Sequence, residues 1–152
     1  RVVQVLPSPP GFAHVLPARG RRDREDAMFS HVMIGTNDLE KSKTFYDAVL
    51  GTLGVKPGFV DGNRVFWRTK TGTFGVSIPI NGEKACFANG GTIGFAVESP
   101  EQGDAWHAAG VANGGTSIEN PPGIRKGGMG EMYLAYLRDP DGNKICALKR
   151  MG

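Results

Sequence analysis

The chain has 152 residues, of which 39% are hydrophobic and 9% aromatic, the size and composition of a single globular domain with a real core. No apolar run approaches the roughly 20 residues that a membrane-crossing helix needs. The net charge of +3 is unevenly placed: residues 1–27 carry five Arg and three acids, whereas residues 28–152 carry 13 Lys or Arg against 12 acids, so the folded part lacks the basic stripe of a nucleic-acid binder.

Residues 1–27 begin with Arg1, are broken by Pro7, Pro9, Pro10 and Pro17, and place their basic cluster after the short apolar pieces, the reverse of a signal peptide. They read as a leader outside the fold, in which His14 carries no chemical role, with the domain running over 28–152.

From His31 to Leu50 a strand-like apolar run turns directly into an amphipathic helix. Val32 and Ile34 alternate with His31, Met33 and Gly35, which gives the strand one strongly apolar face. Leu39, Phe45, Ala48, Val49 and Leu53 then recur at helical spacing; Asn37 or Asp38 suits the start and Gly51 or Gly54 the end. Three short strands follow in VKPGFV, RVFWRTK and FGVSIPI, divided by Asp61-Gly62-Asn63 and Thr71-Gly72 as turns. Residues 81–90 are polar and without periodicity, and read as a linker. The order then repeats. Ile93, Phe95 and Val97 alternate in a strand over 92–98, a helix over 101–112 carries Trp106, Ala109 and Val111 on one side, and a short strand near 116–119 precedes MYLAYLR and KICALKR. Asp139-Pro140-Asp141-Gly142-Asn143 makes the last turn, with both Asp side chains placed to accept backbone amides. Between Asn120 and Gly130 four Gly and two Pro predict a loop that covers a site.

A unit repeated after about sixty residues marks an internal duplication. The expected architecture is α+β: two βαβββ modules, 28–80 and 91–150, forming a cup-shaped eight-stranded mixed sheet. With only Cys86 and Cys146, a disulfide framework is not expected, and the chain reads as cytoplasmic.

The stretches HVMIGTNDLEKSKTFYDAVLGTLG and YLRDPDGNKICAL resemble the opening and closing signatures of the vicinal oxygen chelate superfamily, which includes glyoxalase I, fosfomycin-resistance thiol transferases, extradiol dioxygenases and bleomycin-resistance proteins. The resemblance covers about residues 28–150. It implies a cup that holds a small molecule, a homodimer, and a divalent metal gripped by residues from several strands. His31 stands at the first ligand position of the family. Thr92 stands where a ligand His is common, strand 73–80 has no carboxylate, and Cys146 holds the position of the family's Glu.

His31 and Cys146 alone fall short of the three or four ligands a metal site uses, so no metal or other cofactor is expected. His31 is then the one catalytic candidate. Met33, Phe66, Trp67, Thr92, Tyr133, Tyr136 and Cys146 are the ligand-binding candidates, since an apolar concave surface with a few polar groups suits a small molecule. Three functions compete: a glyoxalase-like lyase with a degenerate metal site, metal-independent chemistry using His31 with Tyr133, Tyr136 or Arg125, and a non-catalytic protein that sequesters a ligand as bleomycin-resistance proteins do.

Overall fold

Two polar residues in extended conformation start the two helices. The side chain of Asp38 accepts a hydrogen bond from the Lys41 amide to open α1 (Leu39–Gly51), and that of Ser99 accepts one from Gln102 to open α2 (Pro100–Ala112), whose first residue is the proline. A computed structural model describes residues 28–152; the leader assigned to residues 1–27, His14 included, lies outside the described residues. None of the described helices is long and apolar enough to cross a membrane.

In the first module β1 (His31–Gly35) leads into α1, and β2 (Phe59–Asp61), β3 (Arg64–Arg68) and β4 (Thr73–Ser77) follow as a meander. Sheet order is β1-β4-β3-β2, with β1 parallel to β4. In the second module β5 (Ile93–Ala96) leads into α2, and β6 (Thr116–Ser117), β7 (Gly123–Gly127), β8 (Gly130–Arg138) and β9 (Lys144–Arg150) complete a sheet of order β5-β9-β8-β6, with β7 paired to β8. The α+β class and the duplicated modules are as the sequence predicts. The strands form two sheets of four and five, and among the described residues β1 and β5 do not pair with each other.

The additional strand is β7. Residues 120–130, expected to be a covering loop, instead pair antiparallel with β8 from Gly123 opposite Leu134 to Gly127 opposite Gly130. Glycine density suggested a loop, but here the glycines serve the hairpin, where Gly130 takes a φ of 94° that a side chain would oppose.

One apolar core lies behind both sheets. Phe45, Tyr46 and Val49 of α1 meet Val65, Trp67 and Val76, while Trp106 of α2 joins Tyr133, Leu137 and Ile145. Helix α2 presents Gly103, Trp106 and Gly110 inward, whereas Val111, expected on its buried side, is 47% exposed. Without Cβ atoms, Gly103 and Gly110 let the helix lie directly against Tyr133 and Leu137 of β8.

The final turn locks the modules together. Asp139 accepts from the amides of Asp141 and Asn143 at 2.9 and 2.8 Å, and from Tyr46 Oη at 2.8 Å and Asn143 Nδ2 at 2.9 Å. Asp141 Oδ1 takes both the amide and the side-chain Nδ2 of Asn37 at 2.9 Å, while its Oδ2 lies 2.6 Å from the Thr36 hydroxyl and 3.2 Å from that of Ser42. Burial alone would raise the Asp141 carboxyl, but these donors outweigh it and hold the group below its ordinary value.

Candidate functional site

Strand register sorts side chains onto two faces. On the first sheet Val32, Val65, Trp67, Phe74 and Val76 face the helices. The opposite face carries three rows across β3, β4 and β1: Arg64, Ser77 and Gly35; then Phe66, Gly75 and Met33; then Arg68, Thr73 and His31. Phe66 is extended onto β2 by its cross-strand partner Phe59, with ring centroids 5.5 Å apart. The result is an apolar band between two polar rows. Gly75 makes it possible, because a Cβ at this position would strike Met33 Sδ and press the Phe66 ring; its absence lets these two side chains close over the strand as a floor. A cavity of about 700 Å3 sits on this floor, with Arg64, Arg68, Ser77 and His31 around it.

His31 is exposed on β1, and its Nδ1 lies 2.9 Å from Ser30 Oγ. It also reaches a second cavity of about 470 Å3 between the β1 and β5 edges, bounded by Val32, Phe74, Ile93 and Phe95. The ring therefore stands where a ligand in either space could meet it.

On the second sheet the corresponding face carries Gly94, Cys146 and Tyr136 in one row and Ala96, Leu148 and Leu134 in the next. Arg125 and Lys144 lie over the Tyr136 ring at 5.2 and 4.8 Å from its centroid, and both are paired with Glu119, Arg125 at 3.7 Å and Lys144 in closer contact. Glu119 is the one non-glycine residue with positive φ, 59°, among the described residues. Burial pushes the Cys146 thiol up; Lys144 pulls it down and Glu119 opposes that pull, so the group stays protonated at neutral pH.

The candidates thus divide. Met33, Phe66 and His31 meet on one sheet face, Tyr136 and Cys146 on the other sheet's, and Thr92 is exposed just ahead of β5, bordering neither cavity. Trp67 and Tyr133 do not face the open sheet surfaces expected of them, and Trp67 borders only the second cavity. Trp67 is 2% exposed behind β3, where its Nε1 donates to Asp47 Oδ1 at 2.9 Å. Tyr133 is 1% exposed behind β8, where its hydroxyl donates to Asp104 Oδ1 at 2.7 Å. Arg64, Arg68 and Ser77, absent from the sequence-based set, stand at the cavity in their place.

The donor set does not fit the family's divalent metal. His31 and Cys146 lie on different sheets, and among the described residues no three His, Cys, Asp or Glu side chains come together.

Comparison with known proteins places this geometry. Residues 28–147 match the family model described as the glyoxalase/bleomycin resistance protein/dioxygenase superfamily. A crystal structure of a glyoxalase/bleomycin resistance protein from Albidiferax ferrireducens T118 is 65% identical, covers 82% of this chain and 100% of its own, and superposes with a TM-score of 0.80. A glyoxalase/bleomycin resistance protein/dioxygenase family enzyme from Burkholderia phytofirmans PsJN is 21% identical over 78% of this chain and 95% of its own, with a TM-score of 0.60. A glyoxalase-related enzyme from Fulvimarina pelagi is 19% identical over 79% of this chain and 86% of its own, at 0.61. The last two show a shared fold alone. No curated protein matches the chain.

Proposed function

The chain belongs to the glyoxalase/bleomycin resistance protein/dioxygenase superfamily, and from that membership we propose that it binds a small organic molecule on the Phe66–Gly75–Met33 floor without a bound metal, His31 serving as the proton-handling group at the rim. The observation that carries this is the floor itself: a glycine lets an aromatic ring and a thioether meet on an open sheet face beneath a cavity of about 700 Å3, with polar groups on both sides. If a reaction follows, it is glyoxalase-like proton transfer by His31, worth about 10²–10⁴ in rate for a positioned general acid or base. Sequestration without turnover is the second reading. It is supported by the contacts of His31, whose ring meets a serine hydroxyl rather than a carboxylate that would orient it.

The expected result is ligand-dependent stabilisation in a thermal-shift screen of aromatic and apolar small molecules, lost in Phe66→Ala and retained in His31→Ala. A hit whose stabilisation survives Phe66→Ala would refute the site. Turnover of such a hit that disappears in His31→Ala marks an enzyme, and binding with no turnover marks a sequestering protein.

A second copy of the chain completes the cup in this proposal. Each sheet ends on a strand paired along one edge only, β1 in the first and β5 in the second, and the open face of the first carries His31, Met33 and Phe66 while that of the second carries Tyr136 and Cys146. Light scattering coupled to size exclusion is expected to give a dimer at micromolar concentration; a monomer there would count against it. The free thiols of Cys86, exposed, and Cys146, buried, support a reducing, cytoplasmic compartment.

A further inference from the structure

We propose that the ligand of the cup is an organic anion, its carboxylate or phosphate taken by Arg64 and Arg68 and its apolar body laid on the Phe66 ring. This rests on the small-molecule function above and names its chemical class.

Along β3 the residues facing the cavity are Arg64, Phe66 and Arg68, so the aromatic band is flanked by a guanidinium on each side. Four residues of extended chain span about 13 Å, which brackets a ligand of one or two rings. Arg68 is held in place, its guanidinium 4.9 Å from the centroid of Phe59, the ring that neighbours Phe66. Arg64 faces Ser77 on β4 and Asp61 on β2, yet makes no ion pair with Asp61. Among the described residues neither arginine forms an ion pair with a carboxylate, so both guanidinium groups are free to meet a ligand at the cavity.

The lining of this cavity contains two arginines and one histidine and no Asp or Glu. In a domain whose overall charge is nearly balanced, that local excess is what selects a ligand. Unpaired cations in a concave, partly apolar site concentrate anions, and an arginine fork engages carboxylate or phosphate oxygens two at a time. A cationic ligand would meet two guanidinium groups here, with Asp61, the cross-strand neighbour of Arg64, as the nearest acid along β2.

Calorimetric titration of the full chain with naphthalene-2-carboxylate, 2-naphthyl phosphate and the neutral naphthalene-2-carboxamide tests this. One or both anions should bind at least tenfold more tightly than the amide, and the tighter of the two identifies the head group. The preference should shrink as NaCl rises from 50 to 500 mM. The exposed Arg64→Gln/Arg68→Gln pair, checked for folding by circular dichroism, should erase the preference and leave amide binding unchanged. Lys56→Gln, exposed and outside the cavity, should change neither. Equal binding of all three probes, lost in Phe66→Ala, would overturn the anion assignment while the small-molecule function stands. A preference that persists in the double variant would overturn the role of these arginines. Binding of none of the probes would remove the inference together with the function it rests on.

Discussion

Asp139→Ala is expected to lower the stability of the fold by about 3–5 kcal/mol, read as a fall in the urea midpoint at unchanged slope. The carboxylate is 4% exposed, yet four donors converge on it: two backbone amides of its own turn, Asn143 Nδ2 and the hydroxyl of Tyr46. Removing it strands those donors, and each buried group left unsatisfied costs about 1–3 kcal/mol. Tyr46 is fully buried on α1, so no water replaces the lost partner without opening the contact between the modules. Tyr46→Phe, which deletes one donor and leaves the other three satisfied, should cost less, about 1–2 kcal/mol. If both variants unfold at the wild-type midpoint, the turn is decorative and the modules are held by apolar packing alone.

Its neighbour contributes to the acid limb of stability, as does Asp47, where, against burial, Lys43, the Gly58 amide and Trp67 also hold the carboxyl below its ordinary value. Asp141 has a folded value below its unfolded one, near 3.9, so its contribution is complete above the unfolded value and is lost as pH falls through the lower folded value. An acid titration of Asp141→Asn should therefore start from lower stability at neutral pH and fall less steeply.

Much of this architecture can be read in the primary structure, because alternation and caps are local. Asp38, Ser99 and Pro100 announce the helices, and the two polar Asp side chains of the last turn do accept backbone amides, Asp139 from within the turn and Asp141 from Asn37. What composition conceals is parity. Phe66 and Trp67 are adjacent on one strand and must point to opposite faces; Tyr133 and Tyr136, three apart, must do the same. Both pairs look like aromatic walls of one cup, yet only Phe66 and Tyr136 face it. The neighbours of Phe66 at two-residue spacing, Arg64 and Arg68, were the legible signal for the cationic flanks. The strand β7 was hidden for a different reason: an edge strand in a glycine-rich hairpin carries little apolar pattern, and its pairing with β8 is a tertiary fact.

Two glycines of identical chemistry separate fold from function. At Gly103 an added methyl collides with the ring of Tyr133, which cannot yield, being 1% exposed, backed by the core and fixed by its bond to Asp104. Overpacking of that kind costs up to about 3 kcal/mol, against about 1 kcal/mol gained by replacing a helix-interior glycine with alanine. Gly103→Ala is thus expected to lose about 2 kcal/mol net in urea unfolding while its affinity for a cup ligand is unchanged. At Gly75 the same methyl meets Met33 Sδ, the free end of a flexible side chain on an open face. There the thioether swings toward the cavity and the floor rises, so Gly75→Ala should keep its midpoint and bind the same ligand at least tenfold more weakly. Reversal of that pattern, with Gly75→Ala unstable and Gly103→Ala unable to bind, would place the ligand behind the sheet, in the core that the present assignment gives to packing alone.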